Sequence, residues 1–594
     1  AALRAGNAGA ARGHLDVAAA EFTRLGDVVA VAAALSQRAD LEAEAGRLTT
    51  ADSLFRLAGA RIAGRSVPDV SWRIHAGQAD LHARRGRTAD AARELRLSIR
   101  AIEQIGSSLR LAERRSATLA DKWTVYQRLA LIERNRGRVA ESFAASEALR
   151  AREMVELLAM GRVDAPRDTA ADLVAKEQDL RRRIGELSRT VQTTSPDWQF
   201  IRGPDVGQVD ATTRQALLAA QATYADLQLE IRERAPRHAA LIAGVPPVSW
   251  RSIANALNQN EVMLEYLLTD SASVVYVITR DTLAAIQLPV AHRALARRVS
   301  FALGALTPRG GGADSAWRAP MRQLHRELIS PVHATGLLEG KTRLVIVPHA
   351  ELHYLPFAAL IDEGTSPTFL VQRYVVSVAP SASVWVGARG AKPRRGTGIL
   401  AMGPRLEQLP GSRQEIVAIT RRGGATARVL TGSAASETAF RREAPTRRVI
   451  HLATYGVLNK QNPLFSFVDL AEDGVNDGRL DVHEVFGLRL VADLVVLSAC
   501  QTALASGALG DVPAGDDWVG LSWAFLSAGA RSVVASLWPV QDQATATLMV
   551  QFYTRYDPGA DPRDALAWAQ RAMLAVPSTA HPYYWAGFEA IGGR

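Results

Sequence analysis

A change of periodicity at Pro246-Pro247 divides the chain more sharply than any other feature. Before it, apolar residues recur at helical spacing, as in residues 79–84 and 89–102. After it, short β-branched runs at 274–279, 344–347, 375–378, 399–402, 449–453, 494–498 and 532–536 alternate with helical stretches such as 412–422, 520–528 and 545–556. Such patterning calls for an all-α part followed by an α/β part. With 594 residues, against about 150 per domain, several domains are expected: helical repeats over 1–160, a helical hairpin or linker over 161–245 and an α/β domain over 246–594. Apolar strands between helices imply a mainly parallel sheet covered on both faces.

Composition narrows the function classes. Hydrophobic residues at 48% and charged residues at 22% support real cores and argue against disorder or a coiled coil. The net charge of +10 is carried almost wholly by Arg, since Lys occurs only at Lys122, Lys176, Lys341, Lys392 and Lys460. Basic runs such as Arg181–Arg183 sit among Glu177, Asp179 and Glu186, which reads as a solvated helix face and argues against nucleic acid as a direct ligand. One cysteine, Cys500, excludes an internal disulfide framework and a Cys-cluster metal site, and points to a reducing, cytoplasmic setting. No apolar run approaches the ~18 residues that span a bilayer, so no membrane association is expected. Residues 310–312 are a Gly triplet without the Lys-Ser/Thr of a phosphate loop, and read as a connector. No cofactor or metal is expected.

In the first third, Gly-x4-small-x3-apolar aligns Gly13, Ala18 and Phe22 with Gly46, Ala51 and Phe55, and with Gly86, Ala91 and Leu95. A weaker copy falls at Gly137, Ser142 and Ser146. A glycine that turns the chain, a small residue that lets helices approach and a large one that fills the groove make a stacking helix pair. The pattern resembles the tetratricopeptide repeat, and such a solenoid leaves a concave face for an activator or adaptor protein. Two polar–apolar stretches, 170–191 and 212–240, flank a breaker-rich segment and predict the hairpin.

Active sites of α/β sheets lie beyond the carboxyl ends of the strands, and two ends stand out. RRVIHLATYGVLN runs from a strand into Thr454, Tyr455 and Gly456; LVVLSACQTALASG delivers Cys500, followed by the acidic GDDW. With LEYLLTD around Glu265, PHAELHYLPFAAL from Pro348, LPGSRQE from Leu409, ARSVVASLWPVQD from Ala530 and HPYYWAGF from His581, the region from 246 onward resembles the CHAT family of caspase-like cysteine peptidases, commonly fused behind tetratricopeptide repeats. The resemblance implies a caspase-like fold, a protein or peptide substrate, Cys500 as nucleophile, and oxyanion-hole amides from Gly456 and Cys500. It also implies a catalytic histidine just before Gly456, where this chain has Tyr455, a residue with an unperturbed pKa near ~10.

His451 lies four residues earlier in the same strand, ~13 Å away, which suits a buried structural residue. His349, His353, His483 and His581 could supply a base only through tertiary folding. Asp511, Asp516 and Asp517 follow the cysteine, where the resembling fold implies a pocket in which a carboxylate would favour Arg or Lys before the cleaved bond; a solvated acidic loop is the other reading. Two functions stay open: an endopeptidase, rearranged or with activity weakened or lost through Tyr455, and a non-catalytic protein-binding scaffold.

Overall fold

The computed structural model describes residues 8–108, 122–160, parts of 176–187 and 212–227, 247–306, 315–364, 367–390, 396–457, 465–501, 516–538 and 540–593. Its residues form two compact units, Ala1–Arg150 and Ala151–Arg594.

The first unit is built of helix pairs. α1 (Ala8–Leu25) precedes α2 (Val28–Glu44) and α3 (Leu48–Arg61), α4 (Pro68–Arg84) and α5 (Thr88–Ser108), then α6 (Trp123–Asn135) and α7 (Val139–Met160). Gly46, Gly86 and Gly137 sit between the members of successive pairs at φ +78°, +73° and +75°, a left-handed turn that costs glycine least. The small residues Ala51, Ala91 and Ser142 behind them are fully buried, as are Phe55 and Leu95. Ser142 donates its hydroxyl to Ala130 O at 2.7 Å, so the polar member of the series crosses to the partner helix. The first expected copy differs: Gly13 lies inside α1, and the turn into α2 is made at Gly26 (φ +73°), where Asp27 caps α2 by accepting from Val29 and Ala30 N–H. Gly77 on α4 faces Phe55, whose ring a Cβ would meet at 2.0 Å, so the close approach of α4 to α3 depends on that glycine.

In the second unit the described residues of 176–187 and 212–227 are helical. Lys176, Asp179 and Leu180 share a groove with Thr223, Asp226 and Leu227, the arrangement of an antiparallel hairpin. Its inner side, Ile184, Leu217, Ala220 and Tyr224, joins the core of the sheet that follows.

That sheet has thirteen strands among the described residues: β1 (Glu261–Leu267), β2 (Ser273–Ile278), β3 (Leu283–Leu288), β4 (Arg343–Val347), β5 (Val375–Val378), β6 (Thr397–Gly403), β7 (Ala427–Thr431), β8 (Arg447–Val457), β9 (Phe467–Asp469), β10 (Arg479–Asp481), β11 (Leu494–Gln501), β12 (Ser532–Ser536) and β13 (Phe588–Gly592). The main order is β10-β9-β8-β11-β12-β13-β5-β4-β1-β2-β3, with β6 against β8 and β7 outside it. A mainly parallel sheet was the expectation, and the observed sheet is mixed. β1, β4, β5, β6, β7, β8, β11, β12 and β13 enter parallel pairs, whereas β1–β2–β3, β8–β9–β10 and β12–β13 are antiparallel. A short apolar strand looks the same in sequence whichever way its neighbour runs. No helix among the described residues is long and apolar enough to cross a membrane.

Candidate functional site

The strands β7-β6-β8-β11-β12 run parallel, and the order reverses between β6 and β8. At such a switch point the connections leave in opposite directions and open a crevice beyond the carboxyl ends. One strand along from that reversal, Cys500 of β11 and Tyr455 of β8 are register partners at the carboxyl ends, and Gln501 pairs with Gly456. Gly456 is also paired with Val468 of β9, so it is bracketed by backbone on both sides.

Met402 pairs with Leu452 and Leu497 with Ala535. Arg405, in the turn that follows β6, lies close enough to Tyr455 to feel its charge, and Trp538 lies in the bend that follows β12. Arg405 is fixed by a two-pronged ion pair with Asp469, at 2.6 and 3.0 Å, and donates to Leu470 O. The bond to Asp469 raises its pKa, and Tyr455 is near enough to add to that shift. Thr454 ties β8 to β9 by donating to Asp469 O at 2.6 Å. Trp538 donates its indole N–H to Tyr583 O at 3.0 Å and lies over Gly587. Arg405 and Trp538 had no signal in the sequence, because each lies past a strand end and is placed by tertiary contacts.

His451 is fully buried and engaged on both ring nitrogens, with Glu415 at 3.0 Å from Nε2 and the Tyr553 hydroxyl at 3.0 Å from Nδ1. One tautomer satisfies both: Nε2–H donates to Glu415 while Nδ1 accepts from Tyr553, a phenol that burial keeps protonated. This is the structural role expected of His451. His349 accepts from Leu268 N–H at 3.2 Å, and His353 lies in the turn that follows. Both stand at the end of β4, four strand intervals or about 19 Å across the sheet from β11. His581 accepts from Tyr583 N–H and packs edge-on against Trp317. His483 packs against Tyr224 and Phe465. Asp511 lies outside the described residues; Asp516 and Asp517 open the helix Asp516–Ser527.

Helices that accompany the sheet include α8 (His292–Leu306), α9 (Arg318–Leu328), α10 (Pro410–Gly423), α11 (Glu437–Glu443), α12 (Val482–Val485), α13 (Asp516–Ser527), α14 (Asp542–Arg555) and α15 (Pro562–Leu574). Beneath the β9–β10 hairpin, Arg441 on α11 bridges Glu437 at 2.8 Å and Glu484 of α12 at 3.0 Å. One guanidinium serves two buried carboxyls, with Asp481 and Asp477 close by. Burial, and then the charge of Glu484, push Glu437 up to about 8 despite Arg441. Burial likewise raises Asp481 well above its ordinary range. Because the folded state holds a proton on Glu437 that the unfolded chain releases near pH 4.5, stability falls as pH rises from about 4.5 to about 8 and levels off above. Glu437→Gln should remove that component: the Tm difference between pH 5.5 and 8.5 shrinks by on the order of 5 °C in paired thermal melts. An unchanged difference would mean that Arg441 keeps Glu437 ionised throughout.

No group of acids, histidines and cysteine that could hold a metal occurs among the described residues.

Comparison with known proteins adds a domain assignment. Residues 318–593 match the CHAT domain family. An alignment 369 positions long, covering 51% of the chain, is 26% identical to tetratricopeptide repeat protein 28 of Mus musculus and covers 14% of that protein. An alignment 336 positions long, covering 46% of the chain, is 24% identical to the Homo sapiens protein of that name and covers 13% of it. The chain therefore spans only a small part of the length of these curated relatives. Among solved structures, the Saccharomyces cerevisiae separase–securin complex aligns over 95% of this chain and 53% of that one, with 9% identity and a TM-score of 0.37. The Arg-specific cysteine proteinase gingipain R aligns over 47% of this chain and 67% of that one, with 10% identity and a TM-score of 0.29. Both scores are too low to establish a shared fold.

Proposed function

From a chain that carries a CHAT domain and tetratricopeptide-like homology, we propose a polypeptide-binding protein whose protease-like cleft has lost or weakened its peptidase chemistry. Cys500 occupies the nucleophile position, Tyr455 the position of the missing imidazole, and Gly456 with Cys500 the position of the oxyanion-hole amides. Asp511, Asp516 and Asp517 would bias the cleft towards Arg or Lys side chains. The helical repeats would receive an activator or adaptor protein, leaving the α/β domain to hold the target.

One observation carries this reading: the backbone register sets Tyr455 directly beside Cys500, while the histidine of the same strand, His451, is committed to Glu415 and Tyr553. A thiol without an imidazole lacks both a base to ionise it and an acid for the leaving amine, so amide hydrolysis stalls although a polypeptide can still lie across the strand ends.

Incubating the full chain with a library of Arg- and Lys-containing peptides tests the reading. The protein should retain a subset that elutes intact, with cleavage no greater than that of Cys500→Ala. Robust cleavage that disappears in Cys500→Ala would overturn it.

A further inference from the structure

The hairpin that precedes the sheet reaches the framework of the candidate site through one side chain. Tyr224 is buried against two other rings: its centroid lies 5.9 Å from Phe465, edge-on at 65°, and 5.2 Å from His483 at 62°. Phe465 and His483 touch each other at 5.3 Å, which closes a three-ring cluster. Each of the two partners leads somewhere specific. Phe465 enters β9 directly, and within three residues that strand pairs Phe467 with Val457 and Val468 with Gly456. Its next residue, Asp469, holds Arg405 with its carboxylate and Thr454 with its carbonyl. His483 belongs to α12, whose Val482 N–H donates to Ser466 O at 2.8 Å, and α12 packs on α13.

The three-ring cluster is therefore the point where the hairpin, the start of β9 and α12 meet, and β9 is the strand that braces Gly456 beside Tyr455. Closely packed cores resist continuous deformation, so a shift of Tyr224 has to be taken up by Phe465 or His483.

We propose that Tyr224 is a positioning residue for the Cys500–Tyr455 site, coupling the helical hairpin to the strand ends through Phe465 and β9. The inference rests on the reading of those strand ends as the functional cleft. It assigns to the hairpin the control of that cleft, by a route of described packing contacts and not by contact with the bound polypeptide. Tyr224 sets the seat of β9, the strand that pairs with Gly456 and Val457 next to Tyr455.

Cys500 is the only cysteine in the sequence, so alkylation of the full chain by iodoacetamide, followed by intact mass, reads the site without any assumption about catalysis. Tyr224→Ala should change the second-order alkylation rate by about two- to tenfold and move the midpoint of its pH profile. Tyr224→Phe, which keeps the ring, should behave as wild type. Leu227→Ala is the control for loosened packing, because Leu227 is buried on the same helix but lies outside the core that holds Phe465; its rate should match wild type. Equal rates and pH profiles for wild type and Tyr224→Ala would overturn the coupling, as would absence of reaction in both. An equal change in Leu227→Ala or in Tyr224→Phe would overturn it too, by assigning the effect to general loosening. The readout needs neither an imidazole nor cleavage, so failure of the peptidase reading leaves this measurement intact, and the reverse also holds.

Discussion

Tyr455→His is expected to give the proposed cleft a gain in peptide cleavage. The substitution restores an imidazole on the strand next to the thiol, with its Cα in register with that of Cys500. An imidazole with a pKa near ~6.5 can ionise the thiol and then protonate the leaving amine, functions a phenol performs poorly at neutral pH. Arg405 does not stand in the way. Its charge is already paired with Asp469, so it opposes an imidazolium only weakly. A working acid/base contributes ~10²–10⁴ in rate, and that is the gain expected in Cys500-dependent peptide hydrolysis. Adding Cys500→Ala to Tyr455→His should abolish the gain, and all three proteins should be assayed with any repeat-binding activator present. If Tyr455→His stays silent under those conditions, the defect extends beyond one residue and the cleft is better regarded as a binding surface alone.

The second large effect concerns stability. His451→Ala leaves the Glu415 carboxyl and the Tyr553 hydroxyl without their shared partner in a region with almost no solvent access. Breaking one side of a buried pair typically costs about 3–5 kcal/mol, since the remaining polar group has lost both water and partner. The sheet unit of His451→Ala should therefore unfold at markedly lower denaturant, followed by tryptophan fluorescence. Removing both polar groups, as in His451→Leu with Glu415→Leu, should recover much of that loss, because two apolar side chains leave only Tyr553 to be satisfied. A His451→Ala variant as stable as wild type would show that the network is dispensable, and the case for His451 as a purely structural residue would weaken with it.

Legibility in the sequence followed the range of the interactions concerned. The strands ending at Tyr455 and Cys500 could be read from two apolar runs, and their register follows once the strands are neighbours. The turns at Gly46, Gly86 and Gly137 were visible because a positive φ selects glycine. Gly13 misled because Gly-x4-Ala arises easily in a Gly- and Ala-rich helix, and nothing local separates it from a turn. Glu415 gave no warning: an acid in an amphipathic helix reads as solvent-facing until tertiary packing sets His451 against it. Arg405 and Trp538 were silent for the same reason, each acquiring its place from strands distant in sequence. β2 was read as a strand at 274–279 but its antiparallel direction was not, because apolar alternation reports burial and not the direction of the neighbour; β3, β9 and β10 were not read as strands.

β13 lies between β12 and β5, pairing antiparallel with the first over five residues and parallel with the second at Ile591 and Val378 alone. It follows every other strand in the sequence, yet it occupies the middle of the sheet. Until it is in place, the half from β1 to β5 and the half from β6 to β12 are separate sheets, each with an unpaired inner edge at β5 or β12. Such edges are templates for wrong pairing, and a seam closed by the most distant segment carries the loop-closure penalty of a high contact order. Assembly should thus be slow and vulnerable at this one joint, and damage to residues 588–592 should divide the sheet instead of trimming it.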